Sequence, residues 1–499
     1  MKRNTCLYLL TAILLASCAY TVPEGKKDSA LPSIFPDYAG TVIPPNIAPL
    51  HFALTMPVEE AYAVFEAGSV SLTVKAKKGS FNIQPSPWKK LLAAASGSSV
   101  NVTITALPSI TDAIADGSSD GDWISYAPFS LYVAGEPVDS YLAYRLIEPV
   151  YELWNHMGIY QRDLESYAET PIIENELTGN NCMNCHSFRM QDPHKMLFHT
   201  RATYSGTIII DGDRIEKLNT GTEQTIAPLV YPCWHPSGRF VAFSVNRTKQ
   251  GFHHNDGNRI EVFDDASDVV VYDVEKREIV TTPHLFSPDV FETFPSFSPD
   301  GRTLYFCSAP AKDMPGSFKE VKYSLCSVSF DPVARTFGSV TDTLYNAAEG
   351  GKSASFPRVS PDGKYLVYTL SGYGNFSIWH EDADLYILDI ATGVSRPIDA
   401  VNSANADSYH SWSSNSRWIV FSSRRIDGLY TRPFIAYIDS KGEASKPFLL
   451  PQKDTDFYHR FMKSYNIPEF ITGKVTVSGR ELALKIKEDD GANLTFLMR

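Results

Sequence analysis

The sequence predicts an all-β-dominated chain with an N-terminal β-sandwich, a short helical connector and a C-terminal β-propeller. Residues 46–145 contain short runs in which apolar and polar residues alternate, at 71–75, 100–105 and 129–133. Such period-two runs, bounded by Gly, Pro and Ser, are typical of half-buried strands. From residue 194 onward a turn followed by an apolar strand recurs. We expect about six blades, with five as the alternative count.

The recurring turn is the main argument for the propeller. Proline sets φ at the first corner, Asp or Ser bonds back to the backbone, and Gly takes a positive φ. A four-stranded unit cannot bury both of its faces alone, whereas units stacked radially can, and ring closure covers most edges. The shared turn position recurs after 63, 62 and 53 residues, at Gly238, Gly301, Gly363 and Ser416.

An aromatic residue is expected before each of these turns, at Trp234, Phe297, Phe356 and Trp412. A further blade is predicted at 194–224, and the tail 470–499 is predicted to complete a sixth.

Residues 151–157 and 162–165 have apolar positions three and four apart, which favours a helix before the propeller. The predicted domains are a signal peptide 1–17, a tether 18–45, the sandwich 46–145, the helical connector 146–193 and the propeller 194–499.

Composition excludes several classes of protein. The chain has 499 residues and a net charge of −12, with 45 Lys and Arg against 57 Asp and Glu. Loss of Lys2 and Arg3 with the signal peptide would make this −12 − 2 = −14. An acidic exported protein is a poor non-specific binder of nucleic acid, so no such partner is expected. Seven cysteines are too few for a disulfide-built scaffold.

The amino terminus has the features of a secretion signal. Lys2 and Arg3 precede an apolar run from residue 7 to 16, which is too short to span a bilayer. The run ends in Leu15-Ala16-Ser17-Cys18, which resembles a bacterial lipobox. That resemblance implies cleavage before Cys18, lipidation of Cys18 and a membrane anchor; an ordinary signal peptide is the alternative. No later stretch is apolar enough for a transmembrane helix.

Cys182-Met183-Asn184-Cys185-His186 is a C-x-x-C-H segment, the attachment signature of c-type haem. Two thiols on one helical turn can both reach the vinyl edge of a porphyrin, and the following His can ligate the iron. Cys182 and Cys185 would form the thioethers, and His186 would be the axial ligand. A Cys182–Cys185 disulfide and half of a zinc site are the alternatives. Cys233, Cys307 and Cys326 are expected to be buried small residues.

The sequence offers several candidates for the second axial ligand of such a haem. Met190, His194, Met196 and His199 follow within 14 residues of His186, and His235 lies in a blade turn. Methionine would raise the potential, a second histidine would keep it lower, and an open position would admit a ligand. The alternative for any one of these histidines is a hydrogen-bonded structural residue.

The repeats resemble the PD40 (WD40-like) repeats of TolB-like β-propellers. The chain also resembles exported TolB-like lipoproteins of Bacteroidetes type, which carry an Asn-Cys-x-Asn-Cys-His-Ser-Phe segment like residues 181–188. The flanking stretches 160–164, 234–238 and 464–470 match as well. The resemblance implies architecture and haem attachment, without a substrate. It places the protein in the envelope of a Gram-negative bacterium, lipid-anchored in the outer membrane and facing the periplasm or the surface.

Three functions are therefore open. The first is a haem-c lipoprotein for electron transfer or haem-based sensing, whose propeller docks an envelope protein or redox partner. The second is a non-redox binding module for protein or glycan, with a Cys182–Cys185 disulfide. The third is a glycan-acting enzyme of the envelope. No phosphate-cradling Gly loop is present, and electron transfer or binding is preferred to an enzymatic activity.

Overall fold

The structure is a computed structural model, and it describes residues 20–109, 122–148, 155–253, 258, 260–488 and 491–498. The signal peptide and the lipidation residue Cys18 lie outside the described residues. None of the helices within these ranges is long and apolar enough to cross a bilayer.

Two packed β-sheets and one helix form the N-terminal domain, as the alternating runs predict. Phe52 of the three-stranded sheet contacts Phe65 and Phe129 of the seven-stranded sheet, with ring centroids 6.3 and 6.5 Å apart, so one core joins the two sheets. The elements are β1 (Lys26–Lys27), β2 (Ile34–Phe35), β3 (Val42–Ile43), β4 (Phe52–Leu54), β5 (Val58–Ala67), β6 (Val70–Lys75), β7 (Ser80–Phe81), α1 (Pro85–Ala95), β8 (Ser98–Pro108), β9 (Ile124–Ser125) and β10 (Phe129–Val133).

Part of the segment 18–45 is folded, which corrects its prediction as a tether. β2 pairs with β4, and β3 pairs with β10. Ile34, Tyr38 and Ile43 are buried in the domain core. The segment contains five prolines and two glycines, but the apolar residues between them are numerous enough to pack it onto the sandwich.

The predicted helical connector is a set of strands wherever the structure describes it. β11 (Tyr141–Ile147), β12 (Gly158–Asp163), β13 (Glu169–Glu174) and β14 (Met183–Phe188) cover most of it, and residues 149–154 lie outside the described residues. Of the two stretches whose apolar spacing favours a helix, the described residues Met157 and Leu164 are instead buried in packing between sheets. Pairing with distant strands overrides the local helical preference.

The described strands after residue 140 form six blades. Blade 1 contains β11–β13 and an inner strand from the end of the chain. Blade 2 contains β14, β15 (Lys195–Thr200), β16 (Gly206–Asp211) and β17 (Arg214–Asn219). Blade 3 contains β18 (Leu229–Trp234), β19 (Phe240–Phe252), β20 (Ile260–Asp273) and β21 (Glu278–Thr281).

Blades 4 to 6 have the same order from the channel outward. Blade 4 contains β22 (Val290–Phe297), β23 (Thr303–Pro310), β24 (Ser324–Asp331) and β25 (Thr336–Tyr345), and is followed by α2 (Ala347–Gly350). Blade 5 contains β26 (Ser353–Val359), β27 (Tyr365–Ser371), β28 (Asp384–Asp389) and β29 (Ser395–Pro397). Blade 6 contains β30 (Asp407–Trp412), β31 (Trp418–Ser423), β32 (Arg432–Tyr437) and β33 (Phe448–Leu449), and is followed by α3 (Phe457–Arg460).

The ring closes through β34 (Ser464–Ile471), which is the inner strand of blade 1 and pairs antiparallel with β11. Each inner strand contacts the next around the ring, and β34 contacts both β30 and β14. The six inner strands therefore surround one central channel, and the propeller begins at β11 rather than at residue 194.

The prediction that the tail 470–499 completes a blade is wrong, because that role belongs to β34. Residues 479–486 form α4 (Gly479–Ile486), whose amino end is a capping box of Ser478 and Glu481. The last strands, β35 (Ala492–Asn493) and β36 (Thr495–Met498), pair in parallel with the outer strands β17 and β21.

Candidate functional site

All six inner strands carry the same irregularity. Each is interrupted by a register shift against its neighbour within the blade. One residue at each shift has a left-handed φ, between 48° and 53°, as in a β-bulge that redirects a side chain. These residues are Cys185, Tyr231, Phe294, Phe356, Tyr409 and Ile467.

The six bulge residues meet on the channel axis and form what we call the channel plug. The ring of Phe294 lies 4.6 Å from that of Tyr231 and 4.0 Å from that of Phe356, centroid to centroid. Phe356 in turn contacts Tyr409 at 4.5 Å. Ile467 packs against the same cluster. The Cys185 thiol is close enough to Tyr231 and Tyr409 to raise the pKa of both phenols, although burial is the larger cause.

Phe356 was predicted as the aromatic residue before the turn of blade 5, and the structure corrects that assignment. Trp234, Phe297 and Trp412 each stand directly before their turn, where blade 5 has Val359. Phe356 belongs to the channel plug instead.

The residue after each bulge is also shared. Four blades have proline there, at Pro232, Pro295, Pro357 and Pro468, and the other two have His186 and His410. Cys185-His186 of the C-x-x-C-H segment therefore stands where other blades have Tyr-Pro, Phe-Pro or Ile-Pro.

The surroundings of Cys182, Cys185 and His186 are closed. Cys185 is 6% exposed and His186 is 2% exposed. Burial, reinforced by Arg145, lowers the pKa of His186 to about 3, while the Ile467 backbone opposes that shift. Neither ring nitrogen of His186 has a partner at hydrogen-bond distance and angle. Cys182 is partly buried just before β14; burial raises the pKa of its thiol, and Arg145 and Arg201 oppose this. Both cysteines are free thiols.

This donor set does not fit a c-type haem. The segment is a strand and not a helical turn, and every residue from Met183 to Phe188 is buried. The Cys185 thiol is buried and close to Tyr231 and Tyr409 of the channel plug, so a thioether there would need room for a porphyrin beside those rings. Within the described ranges, no three side chains of His, Cys, Asp or Glu form a group that could hold a metal.

The predicted second ligands are spread over different surroundings. Met190 is 41% exposed at one end of the channel, whereas Met196 is fully buried in the core between blades 1 and 2. His199 Nδ1 lies 3.2 Å from Thr207 Oγ1, and burial lowers the pKa of His199 to about 3. His235 Nε2 lies 3.0 Å from the Gly301 carbonyl oxygen, where it joins the turns of blades 3 and 4. His194 follows the turn after β14, where its backbone N–H donates to Asp192.

A pocket opens at the end of the channel where the inner strands enter their turns, and we call it the channel mouth. It is a cavity of about 110 Å³. The residue two places after each bulge lines it, so the channel mouth follows the plug along every inner strand: Ser187, Cys233, Ser296, Arg358, Ser411 and Glu469. Aromatic residues and prolines form its wall, among them Phe188, Trp234, Phe297, Trp412, Phe470, Pro236, Pro299 and Pro361.

Arg358 and Glu469 give the channel mouth its chemistry. Glu469 Oε2 accepts a hydrogen bond from the Phe188 N–H at 3.1 Å. Burial raises the pKa of Glu469 to about 7, and Arg358 opposes the shift. Arg358 Nη1 donates to the Pro357 carbonyl oxygen at 3.0 Å, and among the described residues the Arg358 guanidinium forms no salt bridge. The mouth therefore combines an available cation with a carboxyl group that is half protonated near neutral pH.

Sequence reasoning missed this ring, although a signal for it was present. An aromatic residue followed by proline occurs before three of the turns, at 231–232, 294–295 and 356–357, and Ile-Pro occurs at 467–468. Aligning the blades on that step, and not only on the turn glycine, would have singled out Arg358 and Glu469 as charged residues at positions held elsewhere by Ser or Cys.

No family model and no curated protein matches the sequence. Among solved structures, the chain is similar to TolB from Acinetobacter baumannii, with 14% identity over 78% of this chain and 85% of that one, at a TM-score of 0.43. A hypothetical selenium-binding protein from Sulfolobus tokodaii has 8% identity over 68% and 95% of the two chains, at a TM-score of 0.41. The β-propeller domain of the Trilobed protease from Pyrococcus furiosus has 15% identity over 73% and 96%, at a TM-score of 0.33. The six blades of the described residues themselves give the chain the all-β architecture of a β-propeller protein.

Proposed function

We propose that the protein is a binding module that holds a carboxylate-bearing peptide segment of an envelope protein in the channel mouth. The observation that carries the proposal is the placement of Arg358 and Glu469 in a ring whose other members are Ser or Cys. The other blades form the same fold with uncharged residues at this position. The two charged residues are therefore better explained by ligand binding than by a requirement of the fold.

The chemistry of the pocket suits such a ligand. An arginine guanidinium binds a carboxylate through two parallel hydrogen bonds, and the attraction is stronger where water is partly excluded. Glu469 in its protonated form can donate a hydrogen bond to the same carboxylate or to a peptide carbonyl. The aromatic and proline side chains of the wall offer apolar contacts to the rest of the segment.

Selection from a displayed library of random peptides tests this function. Peptides enriched on the wild-type protein are measured against Arg358→Ala and Glu469→Gln, with Arg396→Ala as the matched control. Arg396 lies on the outer strand β29 and pairs with Glu443, away from the channel mouth. We expect Arg358→Ala to weaken binding at least tenfold and Arg396→Ala to leave it unchanged. Equal binding by Arg358→Ala, or no enrichment of carboxylate-bearing peptides, would count against the proposal.

We propose that the protein is anchored in the envelope through a lipid on Cys18, as the lipobox-like sequence implies. Bacteria that produce the protein are fed radiolabelled palmitate, and label on the purified protein is counted. Cys18→Ser should lose the label, whereas Cys6→Ser, a cysteine within the signal peptide, should keep it. Label that persists in Cys18→Ser would place the lipid on another residue, and an unlabelled wild-type protein would show that the anchor is absent.

We do not propose electron transfer or haem-based sensing as the function of this protein. Both need a haem held by Cys182, Cys185 and His186, and the strand geometry at these residues does not fit one.

A further inference from the structure

We infer that Cys185-His186 is the blade 2 form of the bulge step that builds the channel plug, and that covalent haem attachment and the closed propeller ring exclude each other. The inference concerns the C-x-x-C-H segment and is independent of the peptide site at the channel mouth.

The first step is the backbone. Cys185 has a φ of 53°, against 48°, 51°, 52°, 51° and 50° at the other five bulge residues. A non-glycine residue in this region is uncommon, and six of them at one position of a repeat indicate that the fold demands the conformation. The conformation of Cys185 therefore comes from the blade and not from a cofactor.

The second step is the histidine. His410 occupies the same position in blade 6, after Tyr409 and without a preceding pair of cysteines. Burial lowers the pKa of His410 to about 3, the same value as for His186. His410 Nε2 lies 2.8 Å from the Val367 carbonyl oxygen of the preceding blade. A neutral buried histidine is thus a regular alternative to proline at this step.

The third step is space. Ligand pockets that enclose a group of drug size or larger have volumes of about 300–1,000 Å³. The cavity nearest to β14 is the channel mouth, of about 110 Å³. Tyr231 and Tyr409, which the Cys185 thiol approaches, belong to a row of plug rings in direct contact, at 4.0–4.6 Å between centroids. A porphyrin bonded to Cys185 would have to displace those rings, and with them the packing that joins the inner strands.

The experiment expresses the full chain in a host that matures c-type cytochromes, together with a known c-type cytochrome as the positive control. Covalent haem is measured by the pyridine haemochrome spectrum and by the mass of the denatured protein, and folding by cooperative thermal unfolding. We expect folded protein without haem. Folded protein with one covalent haem per chain would overturn the inference.

A second measurement tests the equivalence of the bulge steps. Cys185→Ala with His186→Pro brings blade 2 toward the Pro-containing blades, and His410→Pro makes the matched change in blade 6. Both variants should unfold cooperatively within a few degrees of the wild-type midpoint. If His410→Pro folds and the blade 2 variant does not, Cys185-His186 has a role that the other steps lack, and the equivalence is wrong.

Thiol labelling gives a third readout that needs no variant. The Cys185 thiol should be unreactive toward iodoacetamide in the native protein and reactive in denaturant. Labelling of Cys185 at the same rate in both states would contradict its place in the channel plug.

Discussion

Two charged residues distinguish the channel mouth from the opening of a propeller whose ring positions are all uncharged. Arg358 and Glu469 occupy ring positions that are Ser or Cys in the other blades. Glu469 is partly buried, and burial raises its pKa to about 7. The attraction of Arg358 for the carboxylate opposes this shift but is smaller than the cost of desolvating the charge. Because the Glu469 carboxyl group titrates near neutral pH, both ligand binding at the channel mouth and the stability of the fold depend on pH.

The pKa of Glu469 predicts how stability depends on pH. The folded state holds the proton more tightly than the unfolded chain does, so this group's contribution to stability falls as pH rises from about 4.5 to about 7. Glu469→Gln keeps the acceptor for the Phe188 N–H and removes the charge. We expect the variant to match the wild type at pH 4.5 and to be about 1–2 kcal/mol more stable at pH 8, after allowance for partial exposure.

Urea unfolding of both proteins at pH 4.5 and pH 8 measures this difference. A variant that is no more stable than the wild type at pH 8 would mean that Glu469 carries its charge in the folded state without cost.

At the scale of elements, the repeated turn does two things in each blade. It reverses the chain from inner to second strand, and it contacts the turn of the neighbouring blade. Gly301 and Gly363 share the same left-handed conformation, with φ of 71° and 72°. Their surroundings differ: an added Cβ at Gly301 would lie 2.0 Å from His235 Nε2, whereas at Gly363 the nearest atom is 3.9 Å away.

Alanine at these two glycines separates backbone strain from packing between blades. Gly363→Ala should cost about 1–2 kcal/mol, the penalty of a left-handed L-residue. Gly301→Ala should cost about 1–2 kcal/mol more, because His235 must give up its hydrogen bond to the Gly301 carbonyl. The rings of Phe240, Phe297 and Phe330 surround the imidazole and limit its movement. Denaturant midpoints measure both costs, and equal losses would refute the contact between the turns.

At the scale of the whole molecule, the ring is closed by strands from opposite ends of its sequence. Tyr141 at the start of β11 pairs with Ile471 at the end of β34. Blade 1 therefore has no inner strand until nearly all of the chain has been made. The N-terminal domain joins the same assembly, since Ser414 and Asn415 of blade 6 bond to Asp139 and Pro137.

Truncation distinguishes the closing strand from the strands that only cover an edge. A chain stopped after Lys463 lacks β34 and should not unfold cooperatively, because blade 1 loses its inner strand and the ring stays open. A chain stopped after Glu488 lacks only β35 and β36 and should fold, with a lower midpoint. Circular dichroism during heating checks both, and cooperative unfolding of the shorter chain would show that the ring closes without β34.

Much of the architecture can be predicted from the sequence because it is local. Pro, Asp and Gly specify the turn within a few residues, and alternation specifies the strands of the N-terminal domain. The placement of Gly238, Gly301, Gly363 and Ser416 follows from such signals. The predicted count of six blades agrees with the structure, although the blade assigned to the tail 470–499 is replaced by blade 1, which β34 completes. The prediction of a helical connector is wrong because its apolar spacing favours a helix only in the absence of pairing with distant strands.

The chain order alone determined the strand-rich class, the turn chemistry and the repeat, since each depends on a few adjacent residues. Only the tertiary structure decided that Cys185-His186 belongs to the channel plug, that Arg358 and Glu469 face one pocket, and that β34 closes the ring. Those facts depend on register and on contacts between residues up to 330 positions apart. A five-residue motif has the same sequence on an exposed helical turn and on an inner strand of a propeller. The packing around the motif decides which chemical reactions its side chains can undergo.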